Sequence, residues 1–149
     1  MIIPAAKEVL AKRKLRPKDI DCIIVCTVTP DHTFPSTACI VQDKLGCKNA
    51  WGFDISAACS GFLYGLMTAV SFVESGLSKK VLLCGADKMT SILNLNDRAQ
   101  AIIFGDAAGV CIIEESNDKK LGIIGSDLHI DGSGGKYLKK IAGGSFLPA

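Results

Sequence analysis

The chain has 149 residues, 48% of them apolar and 21% charged, with a formal net charge of +2. That composition fits one globular domain with a real core, and without any run of Lys or Arg it gives no footing for nucleic acid or a membrane surface. No apolar run reaches the ~18 residues of a membrane span, and the opening Met-Ile-Ile-Pro-Ala-Ala-Lys lacks the basic start and apolar stretch of a signal peptide.

Residues 3–15 have the spacing of an amphipathic helix, with Ile3, Ala6, Val9 and Leu10 on one face and Pro17 as the stop. The β-branched run 20–28 predicts a strand buried on both faces. A loop over 29–34 leads to a helix begun by Pro35 and Ser36 and closed near Leu45, with Gly46 as its C-cap. Residues 50–55 read as a second strand, 58–75 as a long apolar helix ending at Gly76, and 80–85 as a third strand. The polar stretch 87–100 reads as irregular or partly helical. Residues 102–104 and 109–114 read as strands joined through Gly-Asp-Ala-Ala, and 123–129 as another, before a Gly-rich tail over 131–149. Strands alternating with helices predict an α/β layered fold. There is no internal repeat or linker, so residues 1–149 are read as a single domain. The chain opens into a helix with no strand before it and closes on a loop, which leads us to expect part of a longer architecture.

Cys22, Cys26, Cys39, Cys47, Cys59, Cys84 and Cys111 are seven in number, and no two form a Cys-x-x-Cys pair. An odd count in apolar settings argues against a disulfide framework and for a reducing cytoplasm. With only two histidines, His32 and His129, no metal site is expected. Six of the cysteines sit in strand or helix runs, where a thiol behaves as a small apolar group. Cys59 is different. It follows a strand after Ser56-Ala57-Ala58 and immediately precedes the long helix. Unpaired N–H groups gather there, and their field favours an anion, and the thiolate is the reactive form of cysteine. The small neighbours Ala57, Ala58, Ser60 and Gly61 leave room for a thioester and a sharp turn, as in a nucleophile elbow, although the Gly-x-Ser-x-Gly pattern is absent.

At this segment, Phe-Asp-Ile-Ser-Ala-Ala-Cys-Ser-Gly-Phe (53–62), the chain resembles the β-ketoacyl-acyl-carrier-protein synthase III family of condensing enzymes. Further motifs fall in the family's order: Cys-Thr-Val-Thr-Pro-Asp-His-Thr-Phe-Pro-Ser-Thr-Ala (26–38), Asn-Asp-Arg (96–98), Phe-Gly-Asp-Ala-Ala-Gly (104–109) and Asp-Gly-Ser-Gly-Gly (131–135). The resemblance covers essentially the whole chain. It implies a thiolase-like layered fold, here most of the N-terminal half, with a central mixed sheet and helices on both faces, and it implies a homodimer. It also implies a reaction of fatty-acid synthesis that needs no cofactor beyond its acyl-CoA substrate. The cysteine takes an acyl group from acyl-CoA, and malonyl-acyl-carrier protein, decarboxylated, then attacks the thioester to give a 3-oxoacyl product. The backbone N–H of Cys59 is expected among the oxyanion donors.

Carried over by residue, the resemblance makes Cys59 the nucleophile and Arg98 the contact to the adenine end of coenzyme A. It places Phe34, Met89 and Phe104 around the acyl pocket, with Phe34 reaching across the dimer. On position alone Phe34 reads as a hydrophobic staple before the helix at 35, Met89 and Phe104 as core, and Asp106 as a hydrogen-bonding turn residue. The family's histidine and asparagine motifs, resembling His-Gln-Ala-Asn and Gly-Asn-Thr-Ser, do not occur here, and neither His32 nor His129 has their context. Trp51 is not the family's adenine-stacking tryptophan. The chain alone is therefore expected not to condense. Two other readings stay open. One is a non-catalytic partner or scaffold of a ketosynthase, which retention of Cys59 disfavours. The other is a related condensing enzyme, of the hydroxymethylglutaryl-coenzyme A synthase or polyketide synthase type.

Overall fold

The β-branched run becomes the strand around which everything else is laid. In the computed structural model, which describes residues 1–118 and 120–148, strand β1 (Cys22–Cys26) is buried along its whole length. It pairs in parallel with β2 (Trp51–Ile55) on one side and with β3 (Lys80–Lys88) on the other. Strand β4 (Asp106–Glu114) runs antiparallel to β3, from Lys88 opposite Asp106 to Lys80 opposite Glu114. The sheet is therefore mixed, in the order β2-β1-β3-β4.

Helices cover both faces. Helix α1 (Ile2–Lys12) and helix α2 (Thr37–Leu45) share one face, where Ile2, Leu10, Val41 and Leu45 pack with Ile23, Val25 and Leu82. Helix α3 (Gly61–Glu74) lies on the other, its Ala69 clustered with Cys22, Ile24, Val81 and Leu83. Successive residues of β1 thus serve opposite faces, as strand geometry requires. Trp51 opens β2 and stacks with Phe53, and both rings meet Phe72 of α3.

The ends of α2 are those its sequence announces. The Ser36 side chain accepts a hydrogen bond from the Cys39 N–H, and Gly46 takes the left-handed conformation at φ 74° that glycine adopts without a Cβ clash. The end of α1 differs from expectation. The helix stops at Lys12, Lys14 adopts φ 54°, and the Leu15 N–H returns to the Leu10 carbonyl. The chain has turned before it reaches Pro17.

Two predicted strands do not form. Residues 102–104 follow the short helix α4 (Arg98–Ala101), and Ile102 and Ile103 are exposed. Their would-be partner has already left the sheet, because β3 ends at Lys88 and turns into a 3-10 helix over Met89–Ser91. Residues 123–129 lie outside any strand, and Ile124 is fully exposed: an apolar run without a pairing edge has nothing to hold it extended. Among the described residues, no helix is long and apolar enough to cross a membrane.

Candidate active site

All three parallel strands end at one edge of the sheet, and the connections after β1 and β3 leave that edge in opposite directions across it. In open α/β sheets such a reversal at the carboxyl ends leaves a crevice where ligands bind. The connection from β2 crosses this edge. It passes through a 3-10 turn, Ala58–Ser60, into α3, and Cys59 is exposed in the middle of that turn. Ala58, just before it, is held at φ 46°, in the left-handed region that an alanine rarely occupies. The expectation that the helix begins at 58 is corrected by one turn: α3 proper starts at Gly61, and Cys59 precedes it.

Glycines set where that turn stands. Gly61, Gly65 and Ala69 fall at intervals of four and are the buried residues of α3. A Cβ added at Gly65 would clash with Cys26 Sγ and lie 3.0 Å from Leu83 Cδ1, and one at Gly61 would touch Cys26 Cβ at 3.6 Å. On β3, a Cβ at Gly85 would meet the Phe62 ring at 3.0 Å. The start of α3 is thus pressed onto the ends of β1 and β3.

The other thiols are divided by burial. Desolvation pushes Cys22 and Cys26 up to about 11 and raises Cys47, Cys84 and Cys111 as well. Cys39 departs from its core-like reading: it is exposed on α2, 3.3 Å from the Ser36 hydroxyl. Cys39 and Cys59 are the two exposed thiols.

The remaining predicted residues come from loops at the same edge. Met89 follows β3 and is half-buried, as is Phe104, two residues before β4. Thr90 joins their segments, donating its N–H and hydroxyl to the Asp106 carboxylate at 2.9 and 2.7 Å. Those bonds hold the Asp106 carboxyl below the usual range, which fits the turn-residue reading. Arg98 is exposed at the start of α4. Phe34 is 84% exposed in the loop after β1, so it is no staple on α2. His32 is exposed in that same loop. The His129 imidazole lies 2.6 Å from the Asp127 carboxylate, and its carbonyl accepts the Tyr64 hydroxyl. Among the described residues, no cluster of His, Cys, Asp or Glu could hold a metal ion.

Two carboxylates escaped the sequence reading. Asp54 of β2 accepts the Thr37 and Ala38 N–H groups, and Asp87 of β3 accepts four donors from residues 27–29. The available signal was an aspartate near the end of each apolar strand run, where an ordinary strand position would be apolar or β-branched.

A mixed sheet between helical layers, with a thiol exposed on a turn at its carboxyl edge, is the architecture of the thiolase-like class. Comparison with known proteins agrees. A family model for 3-oxoacyl-[acyl-carrier-protein] synthase III matches residues 53–132. A curated β-ketoacyl-[acyl-carrier-protein] synthase III of Chlorobium chlorochromatii is 54% identical over 97% of this chain and 44% of its own length. The crystal structure of a Thermus thermophilus β-ketoacyl-[acyl-carrier-protein] synthase III superposes with a TM-score of 0.83 at 37% identity, covering 89% of this chain and 40% of that one. A 2.1 Å structure of a 3-oxoacyl-(acyl-carrier-protein) synthase III gives a TM-score of 0.89 at 33% identity, covering 99% of this chain and 44% of that one. The chain belongs to the 3-oxoacyl-[acyl-carrier-protein] synthase III family, and it spans less than half the length of the curated relatives it matches.

Proposed function

We propose that Cys59 is the acyl-accepting nucleophile of a β-ketoacyl-acyl-carrier-protein synthase III. One observation carries the reading: Cys59, within the family-matched residues 53–132, is exposed on a turn at the carboxyl edge of the sheet, whereas most other thiols are buried. The Cys59 thiolate attacks the carbonyl carbon of an acyl-CoA thioester. The tetrahedral intermediate collapses with coenzyme A leaving as a thiolate that takes up a proton. In the complete enzyme, malonyl-acyl-carrier protein loses carbon dioxide, and the enolate carbon attacks the acyl-cysteine. The Cys59 thiolate then leaves, and the product is a 3-oxoacyl chain on the carrier protein. Met89 and Phe104 line the acyl side, Phe34 reaches across the dimer into the acyl pocket of the partner subunit, and Arg98 meets the adenine end of coenzyme A. The family's histidine and asparagine motifs, which serve the decarboxylation, do not occur in these 149 residues. The complete enzyme is a homodimer in this reading, and seven free cysteines support a reducing, cytoplasmic setting.

The test is acylation of the full-length enzyme. Incubation with acetyl-CoA should place the acetyl group on the peptide containing Cys59, as read by mass spectrometry, and Cys59→Ala should abolish both that mark and condensation with malonyl-acyl-carrier protein. Acyl transfer that survives Cys59→Ala refutes the assignment.

A further inference from the structure

The loop after β1 carries no regular structure from residue 27 to residue 36, yet both of its ends are tied to carboxylates on neighbouring strands. At the entry, Asp87 Oδ1 accepts the Thr27 hydroxyl at 3.0 Å, the Val28 N–H at 2.8 Å, the Thr29 N–H at 3.1 Å and the Thr29 hydroxyl at 2.9 Å. The Thr29 hydroxyl also accepts the Lys88 N–H at 2.8 Å, and the Thr27 N–H donates to the Ile55 carbonyl at 3.1 Å. At the exit, Asp54 accepts the Thr37 N–H at 2.7 Å and the Ala38 N–H at 2.8 Å, one on each carboxylate oxygen. Both aspartates are half-buried.

These anchors belong to the strands that lead into the reactive edge. Asp54 lies five residues before Cys59, and Asp87 two before Met89. Between the anchors the loop presents Phe34, 84% exposed. An exposed ring is placed by its backbone, and this backbone is placed by its two ends. We infer that Asp54 and Asp87 are positioning residues: by clamping the two ends of the 27–36 loop to the ends of β2 and β3, they set where Phe34 stands, and with it which acyl chains are accepted at the pocket this ring reaches across the dimer. The inference rests on the proposed acyl transfer at Cys59 and on the proposed reach of Phe34 across the dimer. It adds a selectivity role for two residues that touch no substrate.

The test uses the full-length enzyme with Asp87→Asn, Asp54→Asn and, as a milder variant that keeps both carboxylates, Thr29→Val. Hydrogen exchange over residues 27–36 is read first, because it does not depend on activity. Each variant should exchange faster there than the wild type, with Asp87→Asn the most affected. The ratio of kcat/KM for acetyl-CoA to that for a four-carbon acyl-CoA should then shift by about fivefold or more, chiefly through KM, while iodoacetamide labels Cys59 within about twofold of the wild-type rate. Phe34→Ala should shift the same ratio, and adding Asp87→Asn to it should change the ratio little further. Unchanged exchange overturns the clamp. Faster exchange with an unchanged ratio, or an equal loss for every acyl-CoA, overturns the selectivity role. A wild type that acylates no cysteine overturns the functional reading itself, and the exchange data still decide the clamp.

Discussion

On the α1/α2 face, large aliphatic side chains fill the space between helix and sheet: Leu10, Val41 and Leu45 against Ile23, Val25 and Leu82. On the α3 face the helix turns Gly61, Gly65 and Ala69 inward, and the sheet supplies the bulk through Cys26, Ile24 and Leu83. The first face places its helices with these aliphatic side chains, and the start of α3 is placed by leaving volume out, while Leu66, Phe72 and Val73 pack further along that helix. A helix seated on glycine has little freedom in depth, because its own backbone meets the sheet. The turn bearing Cys59 is joined directly to that backbone, so the more constrained face is the one that carries the thiol.

Removing bulk from the first face is the strongest way to break this contrast. Leu82→Ala, at a fully buried position, should destabilise the full-length protein by about 2–5 kcal/mol in denaturant unfolding, with Cys59 alkylation in the still-folded protein unchanged. Adding bulk to the second face comes next. Gly65→Ala brings a Cβ onto Cys26 Sγ and should cost about 1–3 kcal/mol. Cys26→Ala in the same chain should return part of that loss, and strictly additive effects would show that the close approach is not what seats α3. Ser36→Ala removes the side-chain cap of α2 and should cost about 1 kcal/mol or less, since Asp54 already satisfies two N–H groups of that turn.

The last expectation costs no stability. Brief iodoacetamide treatment at pH 8 should label Cys39 and Cys59 first, as peptide mass spectrometry would show. Cys22 and Cys26, raised to about 11, hold little thiolate at that pH, and their labelling should climb only as the pH nears 11 or the chain unfolds. Labelling of Cys26 as early as Cys39 would mean that α3 does not seal its face.

Local signals made much of this fold legible. The Ile23-Ile24-Val25 run marked a strand buried on both sides, and Ser36 and Gly46 bracketed α2, because β-branched runs, caps and left-handed glycines act on their own neighbours. The misread stretches were apolar without having anything to pack on. Ile102 and Ile103 carry strand-like side chains, but pairing with β3 begins only at Asp106. At the site, Cys59 stood out because its strand-turn-helix context is contiguous in the chain. Asp54 and Asp87 did not, since their donors lie 16–17 and 58–60 positions away. The exposure of Cys39 was likewise invisible from an apolar neighbourhood alone.

Ala58 narrows what can be written beside the thiol. Its φ of 46° sits in a region that costs an L-residue roughly 1–2 kcal/mol, and branched side chains suffer most there. Glycine, asparagine and aspartate would satisfy the backbone more easily, but asparagine and aspartate would set a polar group directly beside the exposed thiol. The alphabet at position 58 therefore shrinks almost to alanine and glycine. Glycine would slacken the turn, so alanine is the letter that keeps it both narrow and stiff.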